Sequence, residues 1–415
     1  MDVLLRCIKK LWKWIFDNMK ILQINTVYGK GSTGKIAKAL HDLCLDRGHQ
    51  CLSANRYLEG QFDDVVAISS WLDCHIHNRL ARYTHMQGKY SRVRTWLFLR
   101  KVKRYSPDVI HLHNLHGSFL NLGLLFRYIK KHQIPVVWTL HDCWSFTGNC
   151  AYFDVEKCSK WKNQCCQCPH LRKNTLVDAS QTMFDFKKKC FSDIENLTLV
   201  TPSQWLANLL KQSFLADYSI QVIQNGIDLK VFKPTIGDFR QKYNISKDKI
   251  VILGVSFDWG FRKGLDVFVK LSKRLDQEKY QVVLVGTNDA IDSEIPNNII
   301  SVHRTNNQNE LAEIYSAADL FVNPTREDNF PTVNMESIAC GTPVLTFHTG
   351  GSPEIIDETC GSVVDCDDID AMEREIIRIS ETRPYSAEAC LLRAMHFDMN
   401  KQFKEYVNLY ERIGN

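Results

Sequence analysis

No apolar run in this chain approaches the ~20 residues a membrane-spanning helix needs, so the sequence holds no transmembrane helix. Internal repeats and low-complexity tracts are also missing, which excludes a solenoid or a disordered tether. No motif for reading DNA or RNA is present, and nucleic acid is not an expected partner. Lysines interrupt the N-terminal apolar residues and no small-residue cleavage site follows them, which argues against an export signal. Acidic side chains are absent from residues 79–104, a stretch that carries Arg79, Arg82, Lys89, Arg92, Arg94, Arg100, Lys101, Lys103 and Arg104. Such a run is either an ordinary solvated face or a surface drawn to anionic lipid or to a pyrophosphate-bearing acceptor.

What is present fits a globular protein. A length of 415 residues exceeds what one core serves, so at least two domains are expected. Hydrophobic content of 44%, charged content of 24% and a net charge of +5 are ordinary. The fifteen cysteines are odd in number; without an export signal they point to a reducing cytoplasm, with thiols or metal sites rather than disulfides. Residues 1–18 place Leu4, Ile8, Leu11 and Ile15 on one helical face and Arg6, Lys9, Lys10 and Lys13 on the other. That is the pattern of a membrane-surface helix. The alternative is that translation starts at Met19, where the first strand begins.

Strand patterns alternate with helical ones throughout, which predicts a parallel α/β architecture. One series falls near 20–25, 50–55, 64–68, 108–112, 135–140 and 197–201. A second falls near 249–255, 280–285, 299–302, 319–323, 343–347 and 361–364. Two doubly wound, Rossmann-like domains follow, 19–222 and 223–385, joined through the turn residues Asn225-Gly226-Ile227-Asp228. The helices of 386–415 are expected to return to the N-terminal domain. Open α/β sheets bind ligands beyond the carboxyl ends of their strands. Gly29–Lys35, His113-Asn114, His141-Asp142, Lys263-Gly264 and the loop around Asp328 all fall there, and one cleft would collect them.

The richest stretch is 319–356. A buried strand pattern leads into Arg326-Glu327-Asp328-Asn329-Phe330, Pro331 suits a first helical position, and Gly341 with Pro343 ends the helix. Asp328 and Glu336 thus bracket a helix N-terminus. The unpaired amides there, Thr332 and Val333, can hold a phosphate, and the carboxylates can accept hydrogen bonds from sugar hydroxyls. This predicts nucleotide-sugar binding; a solvated turn before a core helix is the plain alternative. Gly29-Lys30-Gly31-Ser32-Thr33-Gly34-Lys35 matches a P-loop, but Ile36 replaces the hydroxyl residue that would hold magnesium. Cys150-x7-Cys158-x6-Cys165-x2-Cys168 has the ligand number of a closed, structural zinc site, with free buried thiols as the alternative. Asp365-Cys366-Asp367 and Asp368-Ile369-Asp370 have the D-x-D form of a divalent-metal motif and follow the last strand of the second series.

The segment around Asp328, Asn329, Phe330, Pro331 and Glu336, with Ala339 to Val344 and Gly350, Gly351, Pro353 and Glu354, resembles glycosyltransferase family 4, retaining enzymes of the GT-B fold. Asn225-Gly226-Ile227-Asp228 resembles the domain junction of the same family. The Cys-rich phrase from His141 to Leu171 resembles the subgroup that assembles bacterial exopolysaccharide, O-antigen or colanic acid. The first acid of the family's pair is usually Glu, where this chain has Asp328 beside Glu327. The family's Arg near position 256 is Ser256 here, and Arg262 is the candidate replacement.

The resemblance implies a metal-independent transferase, with no catalytic cofactor. It would move a sugar from a nucleotide-sugar donor to a lipid-linked or oligosaccharide acceptor, at the cytoplasmic face of the plasma membrane. It implies Glu336 on the ribose, Lys263 with the amides of Thr332 and Val333 on the diphosphate, and Asp328, Asn329 and Phe330 at the sugar. His141 would lie against the donor sugar, Gly31 and Gly34 would let backbone approach the ligand, and His113 with Asn114 would face the acceptor. Zinc would staple the loop 143–170 without taking part in chemistry. A GT-B sugar-nucleotide epimerase and a non-catalytic nucleotide-sugar binding protein are the competing readings.

Overall fold

The structure, a computed structural model, describes residues 18–57, 63–171 and 175–414. The amphipathic stretch 1–18 lies, but for Asn18, outside the described residues. Among these, two parallel sheets form in two compact units, one running to Ile223 and resuming at Phe403, the other spanning Gln224–Gln402.

The first sheet is built from β1 (Lys20–Ile24), β2 (Gln50–Asn55), β3 (Val65–Ala67), β4 (Val109–Leu112), β5 (Val136–Thr139), β6 (Leu197–Thr201) and β7 (Ser219–Val222). Its order is β3-β2-β1-β4-β5-β6-β7, all parallel, with Ile21 opposite Cys51 on one side and Val109 on the other. The order reverses between β1 and β4, which is where a doubly wound sheet opens a crevice. The central strands β4 and β5 are buried along their whole length, because helices cover both faces and leave no polar side. β7 is the strand that pattern reading misses: Ser219-Ile220-Gln221-Val222 is an exposed edge with no apolar run.

β4 carries a polar residue into that core. His111 has no exposure, and its ring nitrogens lie 2.8 Å from the Thr139 hydroxyl and 2.5 Å from the Tyr410 hydroxyl. Tyr406 completes the group, 3.2 Å from Thr139. The last helix, Met399–Ile413, therefore docks Tyr406 and Tyr410 onto β4 and β5 and satisfies a buried imidazole. The return to the first unit begins at Phe403, not near 386 as expected. The preceding helix, Ala387–Ala394, stays in the second unit, where Cys390 and Ala394 join the core that also holds Met335 and Ile338.

The second sheet comprises β8 (Ile250–Val255), β9 (Tyr280–Val285), β10 (Ile299–Val302), β11 (Leu320–Asn323), β12 (Val344–Phe347) and β13 (Gly361–Val364), in the order β10-β9-β8-β11-β12-β13. Alternate residues of its strands feed two cores. Val251 and Leu253 point to one with Phe321 and Met335, while Ile252 points to the other with Phe268 and Leu345. The reversal here lies between β8 and β11, so the loops after Val255 and Asn323 frame the crevice. Among the described residues no helix is long and apolar enough to cross a membrane.

Candidate functional site

In the second unit the chain leaves β11 at Asn323 and reaches the helix Thr332–Ala339 through the acidic loop. Pro331 stands just before that helix, and no side chain caps its first turn. The amides of Thr332 and Val333 thus end a helix with the positive end of its dipole forward. Asn334, fully buried, accepts from Asn323 Nδ2 at 2.7 Å and ties the helix to β11.

Lys263 and Asp328 are brought together. Lys263 Nζ donates to Asp328 Oδ2 at 2.5 Å, and both side chains are mostly covered. Lys263 closes a short 3-10 turn, Phe261–Lys263, after β8. Gly264 follows with φ +72°, and a Cβ there would sit 2.4 Å from the Pro324 carbonyl oxygen, so only glycine lets this turn lie against the acidic loop. Gly350 has a matching role. With φ +56°, it passes so near Asp328 that a Cβ would collide with the Asp328 carbonyl oxygen, while Gly351 N–H donates to Asn329 O at 2.8 Å.

Arg262 braces the same loop, with Nη1 donating to Glu327 O at 3.1 Å and Nη2 lying 3.6 Å from Asp258. Ser256, in the place of the family arginine, is buried and accepts from Asp258 N–H through Oγ. Arg326 is the residue that sequence reading passed over. It is 5% exposed, forks onto both oxygens of Asp266 at 2.7 and 2.9 Å, reaches Asp367 at 2.6 Å, and lies on the Phe261 ring. Burial opposes the charge of this guanidinium, but the Asp266 and Asp367 carboxylates outweigh it and raise its pKa further. Its signal was weak because a single Arg beside two acids looks like a solvated turn. Asp368 caps the helix Ile369–Thr382 by accepting from Ala371 N–H.

At the end expected to face the sugar, two residues are buried. Phe330 is 3% exposed, and its ring packs edge-on against Phe397 in the core. Asn329 is similarly buried, with 2% exposure. Glu336 lies one turn into the helix, half-buried, and accepts from Tyr315 OH at 3.2 Å.

The first unit gathers its own polar group beyond β4 and β5. His113 lies 3.2 Å from His141, their rings stacked 5.5 Å apart, and its other nitrogen is 3.1 Å from Gln23 Oε1. Burial strips both imidazoles of water and pushes their pKa down, that of His141 to about 4. Both are thus neutral at physiological pH, able to donate from one nitrogen and accept at the other. Asn114 is held through its backbone by Asn25 and Thr26. His113, Asn114, His116, His141, Asp142 and Trp144 line one shallow pocket. His116 Nε2 sits 2.9 Å from Asp142 Oδ2, and Trp144 N–H donates to the other oxygen. Burial would raise the Asp142 carboxyl, yet His116 and that amide hold it below its ordinary value. Gly31 opens the helix Gly31–Asp46 with open space around its α-carbon, whereas Gly34 is enclosed by Val27 and Gly29 and serves the turn.

Below the pocket lies a fully buried lysine. Lys187 Nζ donates to Trp144 O at 2.6 Å and Thr147 O at 3.2 Å, 3.5 Å above the Trp144 ring. Burial drives its pKa far down. It pins the turn from which the cysteine-rich loop departs. In that loop Cys150 and Cys168 sulfurs are 3.8 Å apart, the separation of about 3.8 Å that two ligands of one tetrahedral zinc keep. Cys168 is the more acidic of the two, since its sulfur accepts from the Cys150 thiol. Gly148 N–H donates to Cys165 Sγ at 3.2 Å. No three of the four predicted sulfurs stand within 4.8 Å of one another; among the described residues only Asp289, Asp292 and His303 do so, and they are largely exposed. The residues fit a zinc as a pair, not yet as a closed set.

A family model described as Glycosyltransferase Family 4 matches residues 36–231, and one described as Glycosyl transferases group 1 matches residues 236–390. A protein of Escherichia coli (strain K12), provisionally named colanic acid biosynthesis glycosyl transferase WcaC, is 23% identical over 429 residues, covering 95% of this chain and 100% of the relative. The UDP-Gal:alpha-D-GlcNAc-diphosphoundecaprenol alpha-1,3-galactosyltransferase of Escherichia coli is 23% identical over 193 residues, 42% of this chain and 48% of its own. Among solved structures, sucrose-phosphate synthase from Thermosynechococcus elongatus aligns with a TM-score of 0.70 at 18% identity, covering 95% of this chain and 99% of that one. Anabaena HepE, solved in complex with UDP-glucose, gives 0.66 at 16% identity, covering 94% and 100%. At such identities the likeness to solved structures shows the fold, which is GT-B.

Proposed function

Because this chain belongs to glycosyltransferase family 4, we propose that it transfers a sugar, with retention of anomeric configuration, from a nucleotide-sugar donor to a lipid-linked or oligosaccharide acceptor. The acceptor would be part of a bacterial surface polysaccharide, assembled at the cytoplasmic face of the membrane. The observation that carries this reading is the Lys263–Asp328 pair set before the uncapped helix Thr332–Ala339.

In the transfer, the bond between the donor sugar and the β-phosphate breaks, negative charge gathers on the departing nucleoside diphosphate, and the acceptor hydroxyl forms the new glycosidic bond through its oxygen as its proton passes to that phosphate. Lys263 has three N–H donors, of which Asp328 takes one. The others, with the amides of Thr332 and Val333, are available to that phosphate. Asp328 thus aims the lysine as well as facing the sugar, and Glu336 takes the ribose hydroxyls. Arg262 supports from the side, and Asn329 and Phe330 offer backbone. His141 would orient the donor sugar, with His113 and Asn114 toward the acceptor and the backbone at Gly31 near the ligand. The cysteine-rich loop would take a structural zinc through Cys150, Cys158, Cys165 and Cys168, closing around the Cys150–Cys168 pair. No divalent metal is assigned to catalysis.

The deciding experiment incubates pure protein with a panel of nucleotide sugars and follows nucleoside diphosphate release, with and without a bacterial lipid-linked glycan extract, and with EDTA. Extract-dependent release from one donor that survives EDTA is expected. Interconversion of a donor without acceptor would replace this reading by the epimerase, and no turnover of any donor by the binding protein.

A further inference from the structure

Two helices of the first unit, Trp71–Thr84 and Arg92–Tyr105, carry the same outward stripe. At spacings of 4, 7 and 11 residues, which share one helical face, the first presents Leu72, Ile76, Arg79 and Tyr83, and the second Val93, Leu97, Arg100 and Arg104. All eight stand in solvent. Trp71 and Trp96 flank them, 60% and 53% exposed, and the Arg100 guanidinium lies 5.1 Å from the Trp96 ring centre. The opposite faces, Cys74 with His77 and Thr95 with Phe98 and Val102, are buried. The helices are locked to each other through Ser91, whose hydroxyl donates to Asp73 at 2.6 Å and lies 2.8 Å from His77. That contact turns Asp73, the acid of these helices, away from the exposed stripe.

Eight of the nineteen large hydrophobic side chains exposed among the described residues fall on these two helices. Water does not favour such a surface, and a monomer seldom keeps one without a partner. Its charge narrows the choice of partner. Residues 74–107 contain no Asp or Glu, so a second copy of the same face would meet it with like charge. A bilayer containing anionic lipid offers both things the stripe lacks: phosphates for the arginines and an interfacial layer for tryptophan, tyrosine and aliphatic side chains.

We infer that the outward faces of Trp71–Thr84 and Arg92–Tyr105 form a membrane-docking surface for anionic phospholipid. Its purpose rests on the lipid-linked acceptor reading, since docking would hold the first unit where such an acceptor resides. Its measurement does not.

The full chain is mixed with phosphatidylcholine vesicles, with or without phosphatidylglycerol, and co-sedimentation is read without donor. Three full-length variants are compared: Trp96→Ser with Leu97→Ser, Arg100→Glu with Arg104→Glu, and a control, Lys247→Glu with Arg374→Glu, on the exposed surface of the second unit. Binding to phosphatidylglycerol vesicles is expected, lowered at least about tenfold by each of the first two variants and little changed by the control. Absence of binding by the unaltered chain, unchanged binding by the first two variants, or an equal loss in the control would each overturn the inference. So would a dimer in sedimentation equilibrium that Trp96→Ser with Leu97→Ser dissociates, because a second copy would then own the surface. Vesicle binding without donor and donor turnover without vesicles are separate readouts, so failure of one is not failure of the other.

Discussion

Glu336 accepts from the Tyr315 hydroxyl and stands beside an uncapped helix start. Replacing it by alanine removes its bond to the buried Tyr315 hydroxyl but leaves the apolar core packing in place, because the side chain is itself half-buried. Charge-assisted hydrogen bonds to such a carboxylate contribute about 1.5–3 kcal/mol. Glu336→Ala is therefore expected to lower kcat/KM for the donor by roughly 10- to 100-fold with Tm lowered by only a few degrees through the lost Tyr315 bond, checked by steady-state kinetics and a melting curve. Unaltered turnover would remove Glu336 from the site. The spacing of Asp328 and Glu336 was readable residue by residue. The burial of Phe330 was not readable in the same way, because its packing partner Phe397 lies far along the chain.

At the scale of elements, β4 and β5 each lead into a buried histidine, His113 and His141, and buried imidazoles make the first unit sensitive to acid. In the folded state His111, His113 and His141 are all held below the ordinary value by burial, His141 at about 4. In the unfolded chain each takes a proton near pH 6.5. Between those values the unfolded state binds more protons, so stability falls as pH drops, by about 1.4 kcal/mol per pH unit for each imidazole. A Tm that declines between pH 6.5 and 5 is expected in the ligand-free protein; a flat profile there would mean that these histidines are hydrated. The cysteine-rich loop is a second element with its own test. Protein purified without chelator should contain about one zinc per chain, lost together with protection of four thiols when chelator is added. No zinc and fully titratable thiols would leave the Cys150–Cys168 pair as an ordinary thiol contact.

For the whole molecule, the two sheets keep separate cores and separate chemistry. The features proposed to bind phosphate gather in Gln224–Gln402, whereas paired histidines, the cysteine loop and the cationic helices gather in the unit that ends at Ile223 and resumes at Phe403. A transferase with two substrates of unlike chemistry can divide recognition in this way. The donor panel and the vesicle experiment test the two halves of that division independently.

Much of this was determined by the sequence alone. Alternating strand and helix periods dictate two doubly wound sheets, since buried parallel strands need continuous apolar runs and the helices between them need one apolar face. Local motifs placed Lys263, Asp328, His113 and His141 beyond the carboxyl ends of strands, and Glu336 in the helix that follows Asp328. Tertiary structure decided whatever depends on partners distant in the chain. It joined Lys263 to Asp328, locked Arg326 onto Asp266 and Asp367, satisfied His111 with Tyr410, and buried Lys187 under Trp144. These contacts span 41 to 299 positions. A residue's type and near neighbours set what it can do, but only the packed chain sets the field, burial and hydrogen-bond partners that determine what it does.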